Sequence, residues 1–166
     1  AVRLGIVTLG DETSVLSERT LALRAPLCLA LRGHDGTWPG TSIGADTAVA
    51  VQLPDSIQAA LAGHAAALRS HGDCALLVLR TASVSEGRCA AAHIAAALGL
   101  RPAFIDSDTA PLDGLGAWVL LCELLPILCL QLGPSEVRKL PGLSSYTGPL
   151  LVLCGVDGGI EFPAAP

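Results

Sequence analysis

Lysine is almost absent from this 166-residue chain: Lys139 is the only one, and methionine does not occur at all. Acidic residues outnumber basic ones by 15 to 10, giving a net charge of −5. Nucleic-acid phosphates are held by clustered Lys and Arg, so this balance argues against nucleic acid as a partner. Aromatics make up only 3% of the chain. The core must then come from Leu, Val, Ala and Ile, which the 51% hydrophobic content supplies. Mean hydropathy is high, at +0.58. Even so, no apolar run reaches the roughly 18 residues that a membrane span needs. The longest candidate, 115–132, carries Glu123, Pro126 and Gln131 and reads as a buried helix followed by a buried strand. The opening AVRLGIVTLG reads as a strand and not as a secretory leader. Together with the missing methionine, it suggests a piece of something longer.

No C-x-x-C pair occurs among Cys28, Cys74, Cys89, Cys122, Cys129 and Cys154. Most of them sit inside apolar runs. Reduced, buried thiols of a cytoplasmic protein explain that pattern better than disulfides or zinc, and no metal site is expected. His34, His64, His71 and His93 show no metal spacing either.

Three regions are expected. Residues 1–36 read as a small β-rich segment, with a strand at VRLGIVTL, a turn at GDETS and an extended or partly helical return. Residues 37–53, rich in Gly, Thr and Asp, read as a linker. From 54 to 166 the period changes to alternating strands and helices. Pro54 and Asp55 open a helix that Gly72 closes. Strands follow at 74–80, 101–106, 126–132 and 149–155. Helices are expected at about 86–98 and 113–125, the second capped by Asp113, with one short helix and a loop in 133–148. Short, continuously apolar strands separated by helices indicate an α/β fold: a parallel sheet with helices on both faces.

The stretch CALLVLRTASVSEGRCAAAHIAAALG, 74–99, carries the sharpest chemical hint. A strand, a small-residue loop and an alanine-rich helix are the frame of a phosphate-binding loop, G-x-x-x-x-G-K-[ST]. With Gly87 as the second glycine, Ala82 takes the first glycine's place, Arg88 the lysine's and Cys89 that of the magnesium-binding hydroxyl. Glu86 adds negative charge where phosphate should be attracted. Residual nucleotide binding by Ala82, Ser83, Ser85, Gly87, Arg88 and Cys89 competes with a purely structural loop. Helix N-termini attract anions even without lysine, but hydrolysis is not expected, and no catalytic residue is assigned.

Three further patterns have both a chemical and a plainer reading. Gly40-Thr41-Ser42-Ile43-Gly44 matches the hydrolase elbow G-x-S-x-G, which needs a strand before it and a helix after it. Trp38-Pro39 precedes it, and no late histidine follows, so a linker is the better reading. Asp106 and Asp108, at the carboxyl end of a strand, could hold a cation or form a turn and a helix cap. Cys89, at a helix start, is either an activated thiol or a small packing residue.

The order of elements resembles the first, degenerate ATPase module of bacterial tandem AAA+ proteins, of the type associated with contractile injection systems. LGIVTLGDETSVLSERTLALRAPLCLALRG looks like the segment that joins a winged-helix-like region to that module. VQLPDSIQAALAGHAAALRSHGDCALLVLR looks like the helix and strand entering the P-loop. LPILCLQLGPSEVRKLPGLSSYTGPLLVLCG looks like its third and fourth strands. The resemblance implies a P-loop NTPase-like fold, the large AAA+ subdomain, with strand order first–fourth–third–second. It also exposes departures. Arg88 stands for the lysine. Gln131 and Leu132 stand where a Walker B Asp-Glu should end the third strand, and Gly155 stands where a polar sensor should be. The implied role is a non-catalytic structural or regulatory part of a larger ATPase that remodels or assembles a protein complex. The chain itself would hold no cofactor; ATP and magnesium would belong to the parent protein. Its partners would be proteins, as a homo-oligomer or a neighbouring ATPase module, met through apolar residues of 112–132 or the C-terminal strand. Two alternatives are a stand-alone Rossmann-like interaction domain and, last, a small α/β hydrolase.

Overall fold

The computed structural model describes residues 5–10, 20–34, 36–44, 51–72 and 75–162. The chain runs β1 (Val7–Leu9), β2 (Leu21–Leu23), α1 (Ala25–Leu31), β3 (Thr41–Ile43), α2 (Asp55–Ser70), β4 (Leu76–Arg80) and α3 (Val84–Leu98). It continues with β5 (Arg101–Asp106), α4 (Leu115–Leu121), β6 (Leu124–Leu130), β7 (Val137–Lys139), β8 (Leu150–Cys154) and β9 (Gly159–Glu161). The GDETS turn beyond Gly10, the segment 45–50, Cys74 and the closing residues 163–166 lie outside the described residues.

The fold is α/β, built on one five-stranded sheet in the order β3-β5-β6-β8-β4. The four strands read from apolar runs pair in parallel, as first–fourth–third–second. The sheet is mixed rather than purely parallel, because β3 lies antiparallel along β5. An antiparallel strand at the edge of a parallel sheet is a common arrangement. Here the frame extends past the strand ends: the Asp106 amide donates to the Gly40 carbonyl and the Gly44 amide to the Pro102 carbonyl, both at 2.9 Å.

Side chains alternate across the pleat with period two, and helices cover both faces. Ala103, Ile105, Leu128 and Val152 meet α1 and α4 on one face; Phe104, Ile127, Leu151 and Leu153 meet α2 and α3 on the other. The first face is filled by a tryptophan pair. Trp38 and Trp118 are fully buried with ring centroids 5.8 Å apart. A buried indole N–H needs an acceptor. Trp38 Nε1 donates to the Pro111 carbonyl at 2.8 Å and Trp118 Nε1 to the Gly36 carbonyl at 3.1 Å.

Three expectations change. The described part of 37–53 is not a free linker, since it supplies Trp38 to the core and β3 to the sheet. Within the first 36 residues, the β1–β2 pair and α1, which packs through Leu27, agree with a strand followed by a partly helical return. Residues 133–148 contain no helix; β7 instead pairs in parallel with β9. Pro134 and Pro141 confine that segment, and β-branched Val137 favours extended backbone. The second helix is also shorter than expected. Gly114, at φ +82°, rather than Asp113, precedes it, and Glu123, at φ +52°, ends it just before β6 begins.

Candidate functional site at the carboxyl ends of the strands

In open α/β sheets, ligands sit beyond the carboxyl ends of the strands, where neighbouring connections leave for opposite faces. That place can be found here from the topology. The connection after β4 leads to α3 on one face. Those after β5 and β6 lead to the opposite face, through α4 and through Leu140 and Leu143. The divergence falls beside β4 and β8. A crevice of about 640 Å³ opens there, bounded by Thr81 and Ala82, by Leu130–Gly133 and by Leu153–Gly155. Arg88, Asp106 and Cys129 line it and also line a second cavity of about 320 Å³ beside Gly40–Ser42 and Phe104.

Of the residues read as a degenerate phosphate loop, Ala82 and Arg88 line the first cavity, and the six do not form a cradle. Only Thr81, Ala82 and Ser83 lie between β4 and α3, so Ser85, Gly87, Arg88 and Cys89 are already helical. The helix start is closed by its own side chains. Ser83 Oγ accepts from the Glu86 amide at 3.4 Å, a long N-cap bond. Thr81 Oγ1 accepts from the Ser83 amide at 3.0 Å. Gly87 serves packing: a Cβ there would stand 2.5 Å from Leu153 Cδ1 and 2.6 Å from Thr81 Cγ2. Cys89 is buried, with Sγ 3.3 Å from the Val51 carbonyl oxygen. Ala82 faces the crevice as plain surface, and Arg88 lines it from the helix.

Arg88 turns sideways across the sheet. Its Nη2 donates to Ser42 Oγ at 2.8 Å, and its guanidinium lies 3.8 Å from the centre of the Phe104 ring. Cation–π stacking and a hydrogen bond hold it in place. Its Nε is buried without a hydrogen-bond partner among the described residues. Ser42, read as part of an elbow, sits in edge strand β3 and serves here as the acceptor for Arg88.

The two acids read as a pair have separate roles. Asp106 Oδ1 accepts from the Asp108 amide at 3.1 Å, an Asx turn that closes β5. Asp108 forms an ion pair with Arg138, which also binds Glu136 at 2.7 Å. Glu136 in turn accepts from the Gly133 amide at 3.1 Å, and this bond, with Arg138 beside it, holds the carboxyl below its ordinary range. The network ties the segment after β6 to the end of β5. Among the described residues no group of three or more His, Cys, Asp or Glu could hold a metal ion.

Burial pushes the Cys129 thiol above its ordinary range. Arg88 opposes the shift and Asp106 adds to it. The thiol is therefore protonated at neutral pH and is not a ready nucleophile. Sequence reasoning singled out Arg88, Ser42 and Asp106 separately, and it missed Phe104 and Cys129. Nothing in an apolar strand marks the residue that will face a cavity; only the register of β5 against β6, which sets Asp106 opposite Cys129, brings them together. No protein-family model, curated protein or solved structure matches this chain.

Proposed function

We propose that this chain is a non-hydrolysing α/β module of AAA+ type that serves as a structural or regulatory part of a larger, cytoplasmic ATPase acting on protein complexes. The observation that carries the reading is the parallel order β4-β8-β6-β5, the order that the resemblance implies. The site supports the non-hydrolysing half of the proposal. Phosphoryl transfer relies on positioned cations around the phosphates and on acids that hold magnesium and water. At the lysine position stands Arg88, whose Nη2 donates to Ser42 and whose guanidinium stacks on Phe104. At the end of the third parallel strand stand Gln131 and Leu132. No helix among the described residues is long and apolar enough to cross a membrane.

Phosphate release from magnesium-ATP tests the reading. The expected rate is background. Turnover that disappears in Arg88→Ala would overturn it. The scaffold role predicts association with itself or with a neighbouring module, so a clean monomer in sedimentation at high concentration counts against that role. One observation favours a second reading, a stand-alone Rossmann-like interaction domain. The antiparallel strand β3 and the buried Trp38 close one sheet edge from within the chain. Cooperative unfolding of the chain alone, with no dependence on concentration, would favour that alternative.

A further inference from the structure

The charges around the crevice are matched, with two exceptions. Arg138 is paired with Asp108 and Glu136. Arg80 donates to the carbonyls of Gly155, Val156 and Asp157 at 3.2–3.4 Å. Arg88 and Asp106 share the wall between the two cavities but do not pair with each other. Among the described residues, Arg88 has its single side-chain bond to Ser42, and its Nη1 has no acceptor. Asp106 Oδ1 caps the Asx turn, and Oδ2 has no donor among the described residues. Arg88 is a half-buried cation with no carboxylate partner among the described residues, a state that an arriving anion would relieve. Asp106 would repel a simple anion, however, and Arg88 would repel a simple cation.

We propose that this crevice binds a small amphipathic zwitterion of the amino-acid type, with its carboxylate on Arg88 and its ammonium on Asp106. The remaining walls fit an apolar body. Leu130, Leu132 and Leu153 line the larger cavity, and Val84 stands 71% exposed at its mouth. A cavity of about 640 Å³ lies within the usual range for small-molecule sites. The Cys129 thiol, kept neutral by burial, adds no third charge. The proposal goes beyond the AAA+ reading and does not depend on it, because ATP turnover and zwitterion binding are measured separately.

Calorimetric titration of the whole chain with L-leucine and L-phenylalanine tests it. The charge-deleted analogues are leucinamide, which lacks the carboxylate, and 4-methylpentanoate, which lacks the ammonium. Saturable binding of at least one amino acid is expected, with its corresponding charge-deleted forms weaker by about tenfold or more, the loss that a charge-assisted bond implies. Asp106→Asn keeps an oxygen for the Asx turn. It should weaken amino-acid binding by a similar factor while leaving 4-methylpentanoate unchanged or tighter. No binding of either amino acid, equal binding of 4-methylpentanoate and leucine, or an unchanged Kd in Asp106→Asn would each overturn the proposal. Should the variant fail to fold, the analogue series on the unaltered chain still decides.

Discussion

The two faces of the sheet are covered in opposite ways. On one face, α2 and α3 present small residues, Ala65, Ala91 and Ala95, with Gly87 at the closest approach to Leu153. On the other, α1 and α4 leave space that two tryptophans fill. Alanine lets helix backbones approach the strands closely, so the first face is held by many small aliphatic contacts. The second is held by two large side chains whose polar N–H groups are tied to distant loops, Trp38 to Pro111 and Trp118 to Gly36. The lesson is that two covers of one sheet can differ in what they make vulnerable. One depends on spacing, and the other depends on single residues that also anchor loops.

Truncating the tryptophan cover should therefore have the largest effect. Trp118→Ala is expected to cost about 3–5 kcal/mol in chemical denaturation, near the top of the range for core aromatics. Ile94→Ala, the corresponding deletion under α3, should cost about 2–4 kcal/mol, since neighbouring small residues can close in. A larger loss for Ile94→Ala than for Trp118→Ala would break the contrast. Glycine substitutions sharpen it next. A Cβ on Gly116 would stand 2.1 Å from the Ser144 carbonyl oxygen, which is backbone, whereas one on Gly87 meets side-chain ends that can turn. Gly116→Ala should lose about 2–3 kcal/mol from overpacking. Gly87→Ala should lose only about 1–2 kcal/mol, helped by better helix propensity.

Tyr146 packs against the tryptophan face, and its Oη donates to the Pro149 carbonyl at 2.8 Å. Tyr146→Phe should cost about 1 kcal/mol at neutral pH, the net worth of one hydrogen bond. Burial pushes this phenol up to about 12 from 10.0. Its contribution is thus complete below pH 10 and is lost as pH rises toward 12. Thermal melts of the two proteins should converge over that alkaline window. At the edge of the small-residue face, Ser83→Ala removes a long N-cap bond and should cost about 0.5–1 kcal/mol. Smallest is the exposed Glu136–Arg138 pair. The lowered Glu136 carboxyl stabilises the fold above its unfolded value of 4.5, and this is lost as pH falls through the folded value. Glu136→Gln should accordingly lower Tm slightly at pH 7, by a margin that shrinks as pH falls below 4.5.

Much of the sheet was legible because its strands are short, apolar and bounded by turn residues. LLVL, AFI, LLPILCL and LLVLC all formed strands. The helix expected at about 86–98 formed as α3, which Ser83 caps and Gly99 at φ +77° ends. Of the apolar residues in 112–132, most are spent on the core; Leu120 and Leu121 remain exposed on α4. The strand at 41–43 was hidden by its glycines and threonines, which read locally as a linker. Its hydrogen bonds are made to a strand about sixty residues later, and no local pattern reports them.

The sequence by itself determined the layers. Hydrophobic period marked the four parallel strands and the helices α2 and α3, and the scarcity of charge and aromatics dictated an aliphatic core. Only the tertiary structure decided where Arg88 points, that Trp38 is a core residue, and that Asp106 and Cys129 open on one cavity. Those outcomes depend on contacts between residues far apart in the chain, chiefly the antiparallel seat of β3 on β5 and the register of β5 against β6. A side chain's period says which face it takes, but its charge is answered only by what the fold brings opposite.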